Sequence, residues 1–239
     1  MRPVWAVFKK EMRAYFVSPI PYVLLILFSL WITYTVFEQG WFFVLRQATL
    51  DALFAALPFA FTFAVPAIAM RLWSEETRGG TIETLMTFPA KSRHLVLGKF
   101  LAAWVVIAAC LASTAGVVVT VAWLGDLDTG PAVGGFLGAM LLGGAFLALG
   151  QWLSGLTRNQ IVAFLLAVVA CLVFGVVLER VGDASSGSLA DVASSLSISS
   201  RFRAIGRGVL DLRDLAYFAS FIAFFLYLNA ESIENRRYR

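Results

Sequence analysis

Leu101–Leu124 reads LAAWVVIAACLASTAGVVVTVAWL, a run of 24 residues without a single charge. An α-helix rises 1.5 Å per residue, so about 20 apolar residues cross a hydrocarbon core about 30 Å thick. The run lies within the apolar stretch Leu95–Leu124. Read outward from it, five further stretches meet or approach the same length: Ile20–Phe37, Ala52–Trp73, Pro131–Leu156, Ile161–Leu178 and Leu215–Leu228. The last is short and is expected to recruit residues from Leu210 onward or Ala230. Composition agrees, with 60% hydrophobic and 14% charged residues and a mean hydropathy of +0.82. Soluble domains carry about 25% charged residues, and this chain has too few polar side chains to cover itself in water. The expected fold class is therefore all-α: a polytopic membrane protein with six transmembrane helices.

Charge separates the spans and sets an expected orientation. With the N-terminus cytoplasmic, 13 of the Lys and Arg residues fall inside and 6 outside, and all four lysines are inside. Five of the six outer arginines belong to one long loop, where the positive-inside rule is weakest. Both termini are expected to be cytoplasmic. No charge lies within Ile20–Phe37, Leu101–Leu124 or Pro131–Leu156. Ion-coupled carriers usually bury an ionisable residue in the membrane, so a secondary carrier is disfavoured. The formal net charge of +4 reflects basic residues beside apolar spans, and no contiguous basic face suited to nucleic acid is evident. His94 is the only histidine, so no histidine-based metal cluster or Ser–His pair can be built within one chain. Cys110 and Cys171 lie in apolar runs and read as packing residues. The N-terminus lacks the apolar run and cleavage site of a signal peptide.

Four segments carry further local signals. Val4, Trp5, Phe8, Met12, Tyr15 and Phe16 recur at three- and four-residue steps, with Lys9, Lys10 and Arg13 on the other face. Residues 1–18 thus read as an amphipathic helix in the membrane interface, ended by Ser18-Pro19-Ile20-Pro21. Pro58 and Pro66 can kink the second span. The fourth span repeats small-xxx-small spacing at Gly134/Gly138 and Ala139/Gly143, which marks a close helix–helix contact, within the subunit or between subunits. The segment 179–213 begins as a connector, then shows Leu189, Val192, Ala193, Leu196, Phe202, Ile205 and Val209 at helical spacing. One or two amphipathic helices are expected to rest on the outer membrane face, as a connector or a dock for an extracytoplasmic partner.

The most informative segment is the first cytoplasmic loop, residues 74–94. Gly79 and Gly80 interrupt the helix before it. Thr81 is a plausible N-cap, with Glu83 in the first turn favoured by the helix dipole. Ile82, Leu85 and Met86 form a small apolar face, and Pro89 stops the turn. A short capped helix between two membrane spans can sit in a groove on a soluble partner, with Glu75, Glu76 and Glu83 meeting basic or amide groups there. A solvated loop whose charges keep it out of lipid is the plain alternative.

The run Glu75-Glu76…Gly80-Thr81-Ile82-Glu83…Leu85…Pro89, followed by Gly98-Lys99, resembles the coupling region of type-2 ABC transporter permeases. The six-span order, the N-terminal helix and the Ser18-Pro19…Tyr22 entry are similar too. Asp211 through Arg237 resembles the gliding-motility-associated branch of that family. The resemblance covers nearly the whole chain, as a single transmembrane domain over residues 1–239. It implies an exporter subunit of a bacterial plasma membrane that works with a second permease, identical or related. A separate ABC ATPase subunit would bind ATP and Mg. It also implies that Glu75, Glu76, Gly80, Thr81, Ile82, Glu83, Leu85 and Pro89 form the ATPase-coupling segment. No G-x-x-x-x-G-K-[ST] phosphate loop occurs in the chain, so catalysis is not expected of this subunit. An ATP-independent membrane scaffold, using the same loop as a static dock, is the alternative from another class.

Overall fold

A computed structural model describes residues 2–39, 49–81, 91–125, 127–185, 187–206 and 211–237, and every regular element among them is helical. In chain order these are α1 (Arg2–Val17), α2 (Ile20–Tyr34), α3 (Asp51–Ala69), α4 (Arg71–Arg78), α5 (Ser92–Ser113) and α6 (Ala115–Leu124). They are followed by α7 (Thr129–Leu156), α8 (Gln160–Leu172), α9 (Leu178–Ala184), α10 (Ser188–Leu196), α11 (Ile198–Gly206) and α12 (Leu212–Arg237). A π-helical turn over Thr35–Gln39 follows α2, and another over Val173–Val177 joins α8 to α9. Six of the resulting helical runs are long and apolar enough to cross a membrane: Ile20–Glu38, Asp51–Arg78, Ser92–Leu124, Thr129–Leu156, Gln160–Ala184 and Leu212–Asn235. The short sixth run of the sequence thus lengthens at both ends.

The bundle is built around α7. Its start is fixed by Asp128, whose side chain accepts from the Gly130 N–H at 3.1 Å. Every residue from Leu142 to Gln151 is buried, and α3, α4, α5, α8, α11 and α12 all pack on it. Small residues make that crowding possible. A β-carbon at Gly143 would lie 2.7 Å from Ile107 Cγ2, and one at Gly138 would lie 2.9 Å from Ile205 Cγ2. The Gly134/Gly138 and Ala139/Gly143 pairs are therefore filled by helices of the same chain, with Gly134 and Ala139 buried as well.

Two spans are interrupted, each at a place where side chains take over backbone hydrogen bonds. The second span keeps its helix through Pro58 and Pro66 and breaks at Met70, between α3 and α4. There the Ser154 hydroxyl of α7 accepts from the Trp73 and Ser74 N–H groups, both at 3.2 Å, and donates to the Met70 carbonyl at 2.9 Å. In lipid a helix break persists only if its freed groups find partners, and one serine supplies three contacts here. The third span breaks at Thr114, where Thr114 and Ser113 hydroxyls donate to the Leu111 and Cys110 carbonyls at 2.7 and 2.6 Å.

At the end of the bundle opposite α1, the expected amphipathic helices appear as α10 and α11, with the apolar face of α11 turned to the bundle. Ile198, Phe202 and Ile205 are buried against the bundle, because the glycines of α7 leave a groove that fits them. Cys110 and Cys171 are free and buried.

Candidate functional site

The second span continues as α4 past the point expected for a loop, so Ser74–Arg78 is helical and the turn begins at Gly79. Gly80 has φ of +68°, a left-handed conformation that costs a side chain free energy but suits glycine. Thr81 is exposed, and its hydroxyl points back to the Glu76 carbonyl at 3.4 Å. Ile82, Glu83, Leu85 and Pro89 lie outside the described residues, and the expected capped helix with them.

The two glutamates before the turn have different settings. Glu75 is about half exposed and pairs one turn back with Arg71 at 3.0 Å, while Arg71 also donates to the Ser18 hydroxyl at 2.8 Å. Glu76 points into the protein, with its side chain 12% exposed. Its Oε1 meets Lys99 Nζ at 3.0 Å and Lys10 Nζ at 3.1 Å. Lys99 in turn meets Glu11 Oε1 at 2.8 Å and lies over the Trp73 ring at 5.1 Å. Two carboxylates and two ammonium groups therefore form one neutral cluster joining α1, α4 and α5.

Lys99 is the centre of this cluster and only 1% exposed. A lysine at that depth is tolerated because both carboxylates and an aromatic face surround its charge. Gly98 brings α1 close enough for this: a β-carbon there would lie 2.7 Å from Val7 Cβ and 2.9 Å from the Val4 carbonyl oxygen. The Gly98-Lys99 pair thus has two parts, a notch that admits α1 and a cation that holds it. Charge also acts on the neighbours. Burial alone would lower the pKa of Lys10, but the charge and hydrogen bond of Glu76, with Glu11 behind them, raise it overall. Burial, with the Glu11 charge adding to it, pushes the Tyr15 hydroxyl upward and keeps it neutral.

Sequence reasoning singled out Glu76 and missed Glu11, Lys10, Trp73 and Lys99 as its companions. The available signal was Glu11 itself, the only acidic residue in a helix otherwise basic on its polar side. Among the described residues, no group of three or more His, Cys, Asp or Glu side chains is placed to hold a metal ion. The site is a helix leading to a glycine turn, fastened by ion pairs to α1 and to the start of α5.

No curated protein matches the chain. The model of the family described as ABC-2 family transporter protein matches residues 5–233, which takes in α1 from its second turn, the ion cluster, the Gly80 turn and the six spans up to the last residues of the sixth. With six such helices and a match over nearly its whole length, the chain is a multi-pass membrane protein and belongs to the ABC-2 transporter family.

Proposed function

We propose that this chain is the membrane-spanning half of an ABC exporter in a bacterial plasma membrane, with both termini in the cytoplasm. A second permease, identical or related, completes the path, and separate ATPase subunits bind ATP and Mg. The observation that carries this reading is the Glu11–Lys99–Glu76 cluster directly before the Gly80 turn. It ties the helix that enters the Gly80 turn to two other elements, so a push on residues 81–88 reaches α1 and α5 together. Ile82 and Leu85 supply apolar contact to the ATPase, and Glu75 and Glu83 supply charge. Glu76 acts inside, by transmitting motion to Lys99. The gliding-motility-associated branch is the subfamily this reading favours.

The test is copurification of the ATPase and its stimulated hydrolysis in reconstituted complexes, for Glu83→Arg and Ile82→Asp. Both variants are expected to lose ATPase binding. Full binding with full stimulated hydrolysis would remove the coupling assignment. Binding without stimulation by the wild-type chain would mark a static dock, as in a membrane scaffold.

A further inference from the structure

Trp5, Lys9, Arg13 and Phe16 follow one another along α1 at steps of four, four and three residues, and all four are exposed. That spacing lines them up as one stripe on the helix, with an aromatic ring at each end and two cations between. The ends are apolar surface that water disfavours, since Trp5 is 58% and Phe16 67% exposed. Lys9 leans over the Trp5 ring, with Nζ 5.6 Å from its centre, and Trp5 stacks on Phe8 at 5.0 Å.

The two cations of the stripe differ from the lysines beside them. Lys10 and Lys99 are matched by Glu11 and Glu76, whereas among the described residues neither Lys9 nor Arg13 meets a carboxylate. Glu11, the only acid of α1, is turned to the other side of the helix, toward Lys99. Like charges one turn apart on a helix repel, and their β-carbons lie about 5–6 Å apart, a gap that one phosphate can bridge. Position indicates where that phosphate comes from. The Val4–Val7 stretch packs at Gly98, in the second turn of the third span. The Phe16 carbonyl accepts from the hydroxyl of Tyr22, in the first turn of α2, at 3.0 Å. So α1 lies across the starts of two membrane spans, beside lipid headgroups.

We propose that this stripe is a binding site for anionic phospholipid. Lys9 and Arg13 hold the headgroup phosphate, and Trp5 and Phe16 settle against the acyl chains below it. Water alone would satisfy the cations but not the rings, and a phospholipid meets both. The bound lipid holds α1 from the face opposite the one that Glu11 fastens to Lys99.

Titration of phosphatidylglycerol and phosphatidylcholine into the detergent-purified full chain, read by native mass spectrometry, supplies the test. The wild type is expected to bind phosphatidylglycerol the more tightly. Lys9→Gln with Arg13→Gln is expected to lose that preference, by about fivefold for each cation removed. Arg93→Gln with Arg158→Gln removes two other exposed cations and is expected to retain it. All four replaced side chains are exposed, so both variants leave the buried core intact. A wild type without the preference overturns the proposal. So does a preference unchanged in the Lys9 and Arg13 variant, the result for cations that face only water or an acidic protein. Equal loss in both double variants overturns it too, because the attraction would then be one of net charge. Inorganic phosphate is expected to leave the lipid bound, and displacement by it would replace the lipid with a free anion.

Discussion

The two ends of the bundle are held by different forces. At the α1 end, a buried lysine is held by two carboxylates from separate elements, and the contact is electrostatic and directional. At the opposite end, Phe202 and Ile205 of α11 press into the glycine groove of α7, and the contact is one of shape. Ion pairs exist there too: Arg203, 53% exposed, meets Glu179 and Asp183 at the rim, and the partly exposed Arg201 meets the buried Asp214 at 3.0 Å. A shape contact degrades by degrees when atoms are added or removed. A buried ion cluster fails abruptly, because any deletion leaves an uncompensated charge. In the proposed function, the end that receives force from the ATPase is thus the one built on the buried ion cluster.

Lys99→Met should have the largest effect. Removing one partner of a buried ion pair costs about 3–5 kcal/mol, and here it also leaves two carboxylates facing each other. Thermal unfolding in detergent should show it, and Glu11→Gln with Glu76→Gln in the same chain should recover much of the loss. A Lys99→Met protein as stable as wild type would erase the contrast between the ends. Gly138→Val comes next. Its β-carbon alone would lie 2.9 Å from Ile205 Cγ2 and 3.2 Å from Phe202 Cδ2, and overpacking of this kind costs about 1–3 kcal/mol. Phe202→Ala should partly suppress it, as a shape contact requires, and a lack of suppression would place the strain elsewhere. The smallest effect concerns pH. Lys10 has a raised pKa in the fold, so its contribution is complete below the ordinary lysine value and is lost as pH rises through the folded value. Stability should therefore be level through neutral pH and decline only in alkali, with Lys10→Met flattening that decline. A decline already present near pH 7 would assign the titration to another group.

The spans were legible because membrane crossing is a property of composition in a window, and the window needs no partner. The glycine spacing of α7 was legible for a similar reason, though its occupants were not: α11 lies more than sixty residues downstream of Gly138 (Phe202, Ile205) and carried only an amphipathic signal. That signal fits a lipid surface and a protein groove equally well. Lys99 was read as a charge that sets orientation and as part of the coupling-region resemblance, but not as a buried partner, since one lysine at the start of a span looks the same whether it meets headgroups or two glutamates. The helical Ser74–Arg78 was obscured by its charges, which suggest a loop until Lys99 and Lys10 are known to face Glu76. In each case the missing information was a partner distant in sequence.

That distance bears on how the chain is made. Glu11 precedes Lys99 by 88 residues. At synthesis rates of about 5–20 residues per second, α1 waits about 4–18 s for its counter-ion to leave the ribosome. Lys10 can already pair with Glu11 and Glu76 before then, so the arrival of Lys99 adds the buried contact that closes the cluster onto the third span.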